Sequence, residues 1–110
     1  MASTFSRKLS RSIGTTLTAV GSYTVGAATQ TTVIGLSVAN ISAATVEVDI
    51  SLNDGTNDTY LIKGAPVLPG ASLVVSGGDQ KIVLVTNDSV KVKSNTASSV
   101  DAVMSILEIT

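Results

Sequence analysis

Neither cysteine nor histidine occurs in this chain of 110 residues. Without cysteine there is no disulfide framework and no thiolate metal site. Without histidine the commonest general base and the commonest zinc ligand are missing together, so Ser-His-Asp and Cys-His catalysis are excluded within one chain. The aromatic residues are Phe5, Tyr23 and Tyr60 alone, too few for the stacking platforms that hold single-stranded nucleic acid. No apolar run approaches the roughly 18 residues that a membrane-spanning helix needs. No motif pairs two carboxylates or a serine with a lysine, so nothing nominates a catalytic constellation and no cofactor is implied.

Acidic residues are absent from the first 13 positions, which instead hold Arg7, Lys8 and Arg11. The remainder sets Lys63, Lys81, Lys91 and Lys93 against eight acids, so a +3 arm precedes a −4 body in a chain of net charge −1. A body of that sign repels nucleic-acid phosphates. The arm, residues 1–13, carries Phe5, Leu9 and Ile13 at i, i+4 and i+8, which would form one narrow stripe on a helix. A basic, serine-rich, acid-free segment also fits an organellar transit peptide, but no apolar stretch follows it as in a secretory signal. We read it as a structural arm, packed either on its own body or on a partner.

From residue 14 onward Thr, Val, Ile and Ser dominate, and turn signals recur about every ten residues, the pattern of an all-β sandwich or barrel. In T-V-E-V-D-I-S-L, Val46, Val48, Ile50 and Leu52 alternate with Glu47, Asp49 and Ser51. Ile34, Leu36 and Val38 alternate with Gly35, Ser37 and Ala39 before it, and a turn with Asn40 and Ser42 joins the two. Tyr60 to Ile62, Leu73 to Val75, Ile82 to Val85, Val90 to Val92 and residues 100–109 supply further strands. Pro66 and Pro69-Gly70 should break the pattern, because proline fixes φ and removes a ladder donor. With residues 14–23 as the first strand, the expectation is a two-sheet antiparallel β-sandwich of about eight strands over residues 14–110.

Three features could suggest sites, and each has a plainer reading. The loop N-D-G-T-N-D gathers Asn53, Asp54, Asn57 and Asp58, oxygen ligands of the kind calcium takes. The spacing is not that of an EF-hand, and Asp, Asn and Gly are also what a hairpin turn requires. The sequons at Asn40, Asn57 and Asn87 read as turn residues. Gly77-Gly78-Asp79 is a strand-to-strand turn, since no helix follows to present its N-terminus to a phosphate.

The last strand, V-D-A-V-M-S-I-L-E-I, is apolar on both faces. Val100, Ala102, Met104 and Ile106 share one, and Val103, Leu107 and Ile109 the other. Val83 and Val85 add apolar residues to the outward parity of their own strand. A sandwich strand buries only one face, so the second face calls for another cover, and a second subunit is the expectation. Partner contacts are accordingly expected at Phe5, Arg7, Lys8, Leu9, Arg11 and Ile13 of the arm and at Val103, Leu107 and Ile109 of the last strand.

Between Thr31 and Ile109 the chain sets out a Pro69-Gly70 turn, a lysine-bearing strand from Lys81 to Leu84 and an Asp88-Ser89 turn. A K-V-K strand from Lys91 to Lys93 and a closing S-I-L-E-I from Ser105 to Ile109 complete it. This succession resembles small virion structural proteins of tailed bacteriophages, including phages of marine and cyanobacterial hosts. The arm lies outside the resemblance. What the resemblance implies is a non-enzymatic, β-rich building block located in the virion and assembled in a reducing host cytoplasm. It would be a homo-oligomer docked on capsid, neck or tail proteins through the arm and the last strand. Deleting residues 2–13 would then abolish incorporation and spare folding. The contrasting reading is a carbohydrate- or surface-binding, adhesin-like sandwich, for which Tyr23 and Tyr60 are the available platforms.

Overall fold

The computed structural model describes residues 2–76 and 81–110; the Gly77-Gly78-Asp79 turn lies outside them. The strands are β1 (Ser3–Ile13), β2 (Thr18–Ala19), β3 (Gln30–Asn40), β4 (Val46–Asn53), β5 (Asp58–Val67), β6 (Ser72–Ser76), β7 (Ile82–Leu84), β8 (Ser89–Ser94) and β9 (Val100–Ile109). One short 3-10 turn, Val20–Ser22, follows β2. The first sheet runs β1-β9-β3-β6 with β7 beside β6 on β3, and the second runs β2-β8-β4-β5. All pairings are antiparallel. The fold is the expected all-β, two-sheet sandwich.

The core is aliphatic. Val33, Leu36, Val38, Ala102, Met104 and Ile106 of the first sheet meet Val46, Val48, Ile50, Val90 and Val92 of the second, all buried. Period-two alternation dictates this, since a strand with apolar residues on one parity excludes water only by laying that parity against another sheet. Polar groups caught inside are paired: among the described residues no buried side-chain nitrogen or oxygen lacks a partner. Asn40 shows how. Its Nδ2 donates to the carbonyls of Ala44 and Val67, and its Oδ1 accepts from the Ser42 N–H, so it is a turn residue.

The arm takes a definite conformation, and three local expectations are corrected. Residues 3–13 are a strand, β1, pairing with β9 from Ser3↔Ile109 to Ser10↔Ala102; propensity for a helical stripe yields to a ladder of backbone bonds along β9. The segment 14–23 is not one strand but the two residues of β2 and the 3-10 turn. β5 runs straight through Pro66, which an edge strand tolerates because the lost donor faces away from the sheet. A register shift between Val33 and Gly35 doubles Ile34 and Gly35 against Ser105, so Val33 rather than Ile34 occupies the core parity with Leu36 and Val38.

Candidate interaction surface

β1 is built the wrong way round for an ordinary sandwich strand. Its core-side parity is Thr4, Ser6, Lys8 and Ser10, opposite Glu108, Ile106, Met104 and Ala102. Its solvent-side parity holds Phe5 and Leu9, and Phe5 is 75% exposed. On β9 the solvent-side residues are Val103, Leu107 and Ile109. The register carries these across the sheet in rows. Phe5 stands beside Leu107, then Thr32 of β3, then Val83 of β7. Leu9 stands beside Val103, then Ser37, then Val74 of β6. Between the two rows lies Arg7–Ser105–Gly35. A shallow groove of about 200 Å³ follows Gly35, Ser37, Val74, Val103 and Ser105. At the end of the face an open hollow of about 460 Å³ is lined by Gln30, Val85, Thr86 and Ile109.

Most of the residues expected to contact partners therefore come together. Phe5, Arg7, Leu9, Val103, Leu107 and Ile109 share one outward face, with Leu9 and Phe5 directly opposite Val103 and Leu107. Three do not join them. Ile13 is buried in the core, because an irregularity between Ser10 and Ile13 inserts an extra residue and reverses parity. Ser12 there adopts φ 52°, and its N–H donates to Asp101 Oδ1 at 2.9 Å. Lys8 sits on the core-side parity with its Nζ 4.9 Å from the centre of the Tyr23 ring. Arg11 lies exposed at the irregularity. Val74 was not singled out by sequence reasoning; its signal, a third apolar residue in Leu73-Val74-Val75, cannot reveal parity by itself.

The opposite face of the sandwich is charged. Asp49 stands beside Lys93 and Ser51 beside Lys91. The Asp49 carboxylate accepts the Gly64 N–H at 2.7 Å and lies 3.3 Å from Lys63 Nζ and 3.8 Å from Lys93 Nζ. Burial works against its ionisation, but the Gly64 N–H and the two ammonium groups outweigh it and hold the carboxyl below its ordinary value.

The two tyrosines do not share one platform, and the oxygens of the acidic loop bond within the turn. Tyr23 is buried, and its hydroxyl donates to Glu108 Oε2 at 2.7 Å and shares a 2.7 Å bond with Thr31 Oγ1. Burial raises its pKa; the Thr31 bond works against the shift and Glu108 adds to it. It is a clamp between the 3-10 turn, β3 and β9, not a sugar platform. Tyr60 is exposed but covered on one side by Lys63, 4.4 Å from its ring centre. In the 53–58 loop, Asp54 Oδ1 accepts the N–H groups of Thr56 and Asn57 and Asn53 Oδ1 accepts that of Gly55. Asp58 Oδ1 accepts from Ser51 Oγ and Asn53 Nδ2. These oxygens serve the turn itself, and among the described residues no three acidic groups converge on a metal-sized site.

No protein-family model matches the sequence, and no curated protein matches it. Among solved structures the chain is similar in fold to a protein of Bacillus endospore appendages, which form disulfide-linked pili. The TM-score is 0.58 at 12% identity, covering 98% of this chain and 88% of that one. A pentameric capsid protein from metagenomic phage sequences aligns at TM-score 0.40 and 20% identity, over 91% of this chain and 59% of its own.

Proposed function

We propose that this protein is a non-enzymatic structural subunit of a bacteriophage particle, held in place through the outer face of its first sheet. The observation that carries the reading is the inverted polarity of β1, whose polar residues face the core while Phe5 and Leu9 join Val103 and Leu107 outside. Exposed apolar side chains gathered on one face in this way favour a protein contact. Arg7, between the two apolar rows, and Arg11, at the irregularity, favour an acidic group on the neighbour. The sandwich it shares with a pilus-forming appendage protein supports a building-block role. The chain has no cysteine, so any assembly it makes is not held by disulfides, unlike disulfide-linked pili. Capsid surface, neck and tail are the candidate positions implied by the resemblance to small phage virion proteins.

The test is incorporation. Wild type and a Val103→Asp/Leu107→Asp variant are supplied during particle assembly, and purified particles are assayed by mass spectrometry and immunogold microscopy. Both side chains lie on the outer parity, Val103 exposed and Leu107 half-buried, so the variant should keep its fold by circular dichroism. Its copy number per particle should fall at least tenfold. Normal incorporation of the variant, or absence of the wild-type protein from particles, would refute the reading.

A further inference from the structure

The free edge of β1 is the second unusual feature of this surface. The Ala2 N–H donates to the Thr110 carbonyl and the Thr110 N–H to the Ala2 carbonyl, both at 2.9 Å. That exchange makes residues 2 and 110 a hydrogen-bonded pair. In an antiparallel ladder such pairs alternate with non-bonded ones. Along the unbroken register the even residues of β1, through Ser10, therefore bond to β9, and Ser3, Phe5, Arg7 and Leu9 turn their N–H and C=O groups outward.

Leu9 is shielded. Gly21 of the 3-10 turn packs so close that a Cβ on it would lie 2.7 Å from Lys8 Cβ and 3.2 Å from Leu9 N. The Gly21 N–H also donates to Ser10 Oγ at 2.8 Å. The open stretch is thus Ser3, Phe5 and Arg7.

Sheet edges are ordinarily blunted by irregularities, proline or short length. The outer edge of the second sheet follows that rule. β5 carries Pro66, Gly64 at φ 70° and two register shifts against β4. β2 has two residues, and β6 and β7 have five and three. β1 holds an unbroken register from Ser3 to Ser10, with no proline or glycine in it.

We propose that this edge pairs with the same edge of a second copy, antiparallel, about a two-fold axis at Phe5, joining the two first sheets into one continuous sheet. The proposal rests on the structural-subunit reading and names the partner at its β1 edge. The self-complementarity is specific. With Phe5 opposite Phe5, Ser3 falls opposite Arg7 and Arg7 opposite Ser3, and each of the three open residues exchanges both backbone bonds with its counterpart. A one-residue slip would place outward groups against residues whose groups already bond to β9. The symmetric register also sets the exposed Phe5 rings side by side on the outer face, where cross-strand aromatic pairs stabilise a sheet. The two Arg7 residues then lie four positions apart along the seam, about 13 Å, beyond a screening length of about 8–10 Å at moderate salt.

Because the chain is cysteine-free, a single introduced cysteine reports the register. Directly opposed residues in a hydrogen-bonded pair have Cα atoms about 5.5 Å apart, inside the roughly 4.4–6.8 Å span of disulfides. Phe5→Cys should therefore oxidise to a covalent dimer at least tenfold faster than Ser3→Cys, whose two copies lie about 13 Å apart. The Ser3→Cys/Arg7→Cys double variant should cross-link as Phe5→Cys does. In sedimentation equilibrium the wild type should have twice the 11.1 kDa chain mass. Phe5→Pro, which removes an N–H unused within the fold, should be monomeric with its far-ultraviolet circular dichroism retained. A monomeric wild type at 100 μM-scale concentration, or equal cross-linking of Phe5→Cys and Ser3→Cys, would overturn the proposal. Such a result leaves the Val103→Asp/Leu107→Asp incorporation assay as a separate measure of the structural-subunit reading, so either idea can fail alone.

Discussion

Asp49 shows how one side chain ties three strands. It belongs to β4, pairs with Lys93 of β8, and reaches Lys63 and the Gly64 N–H of β5. Gly64 takes φ 70° there, a conformation glycine adopts without strain. The carboxylate thus caps an irregular stretch of an edge strand. Since its folded pKa is depressed, its contribution is complete above the unfolded value of about 4 and is lost as pH falls through the lower folded value. Urea denaturation of wild type should show that loss below about pH 4. Asp49→Asn should be less stable at neutral pH and show less of the acid-induced change. The alternation in T-V-E-V-D-I-S-L placed Asp49 on the outer parity. The partners it meets there depend on β5 and β8, and no local pattern names them.

At the scale of the element, β1 is the instructive case. Phe5, Leu9 and Ile13 satisfy a helical spacing of four, and the same positions satisfy a strand parity of two. Periodicity over so short a stretch cannot separate the two. Pairing with β9 decides for the strand, and the irregularity before Ile13 then sends Phe5 and Leu9 outward and Ile13 into the core. The 3-10 turn clasps this strand from its edge. Gly21 is at φ 62° and has no room for a side chain against Lys8 and Leu9. Gly21→Ala should lower the melting temperature through both strain and a displaced β1, with a loss of about 1–3 kcal/mol by chemical denaturation. An unchanged melting curve would show that the turn does not hold the strand.

Across the whole molecule the two outer faces differ in kind. One carries Asp49, Lys91 and Lys93; the other carries rows of Phe5–Leu107 and Leu9–Val103. β1 contributes to both the fold and the surface, and this changes the expected outcome of truncation. Deleting residues 2–13 strips β9 of one ladder and removes Ile13 from the core. The truncated protein should be strongly destabilised, by several kcal/mol from the lost core side chain and ladder, rather than folded and merely unanchored. Circular dichroism melting against wild type measures this. An equally stable truncated form would mean that the sandwich closes without β1.

Sequence by itself determined the class of fold, because alternation such as Val46-Val48-Ile50 against Glu47-Asp49-Ser51 can exclude water only in a packed sheet, and because turn chemistry at Asn40 and residues 53–58 is local. It also showed that the last strand is apolar on both parities, Val100-Ala102-Met104-Ile106 on one and Val103-Leu107-Ile109 on the other. The tertiary structure alone decided that β1 lies beside that strand and leaves its outer face open. Strand order and register are set by which distant segments pair, and residue spacing along one chain carries no record of that choice.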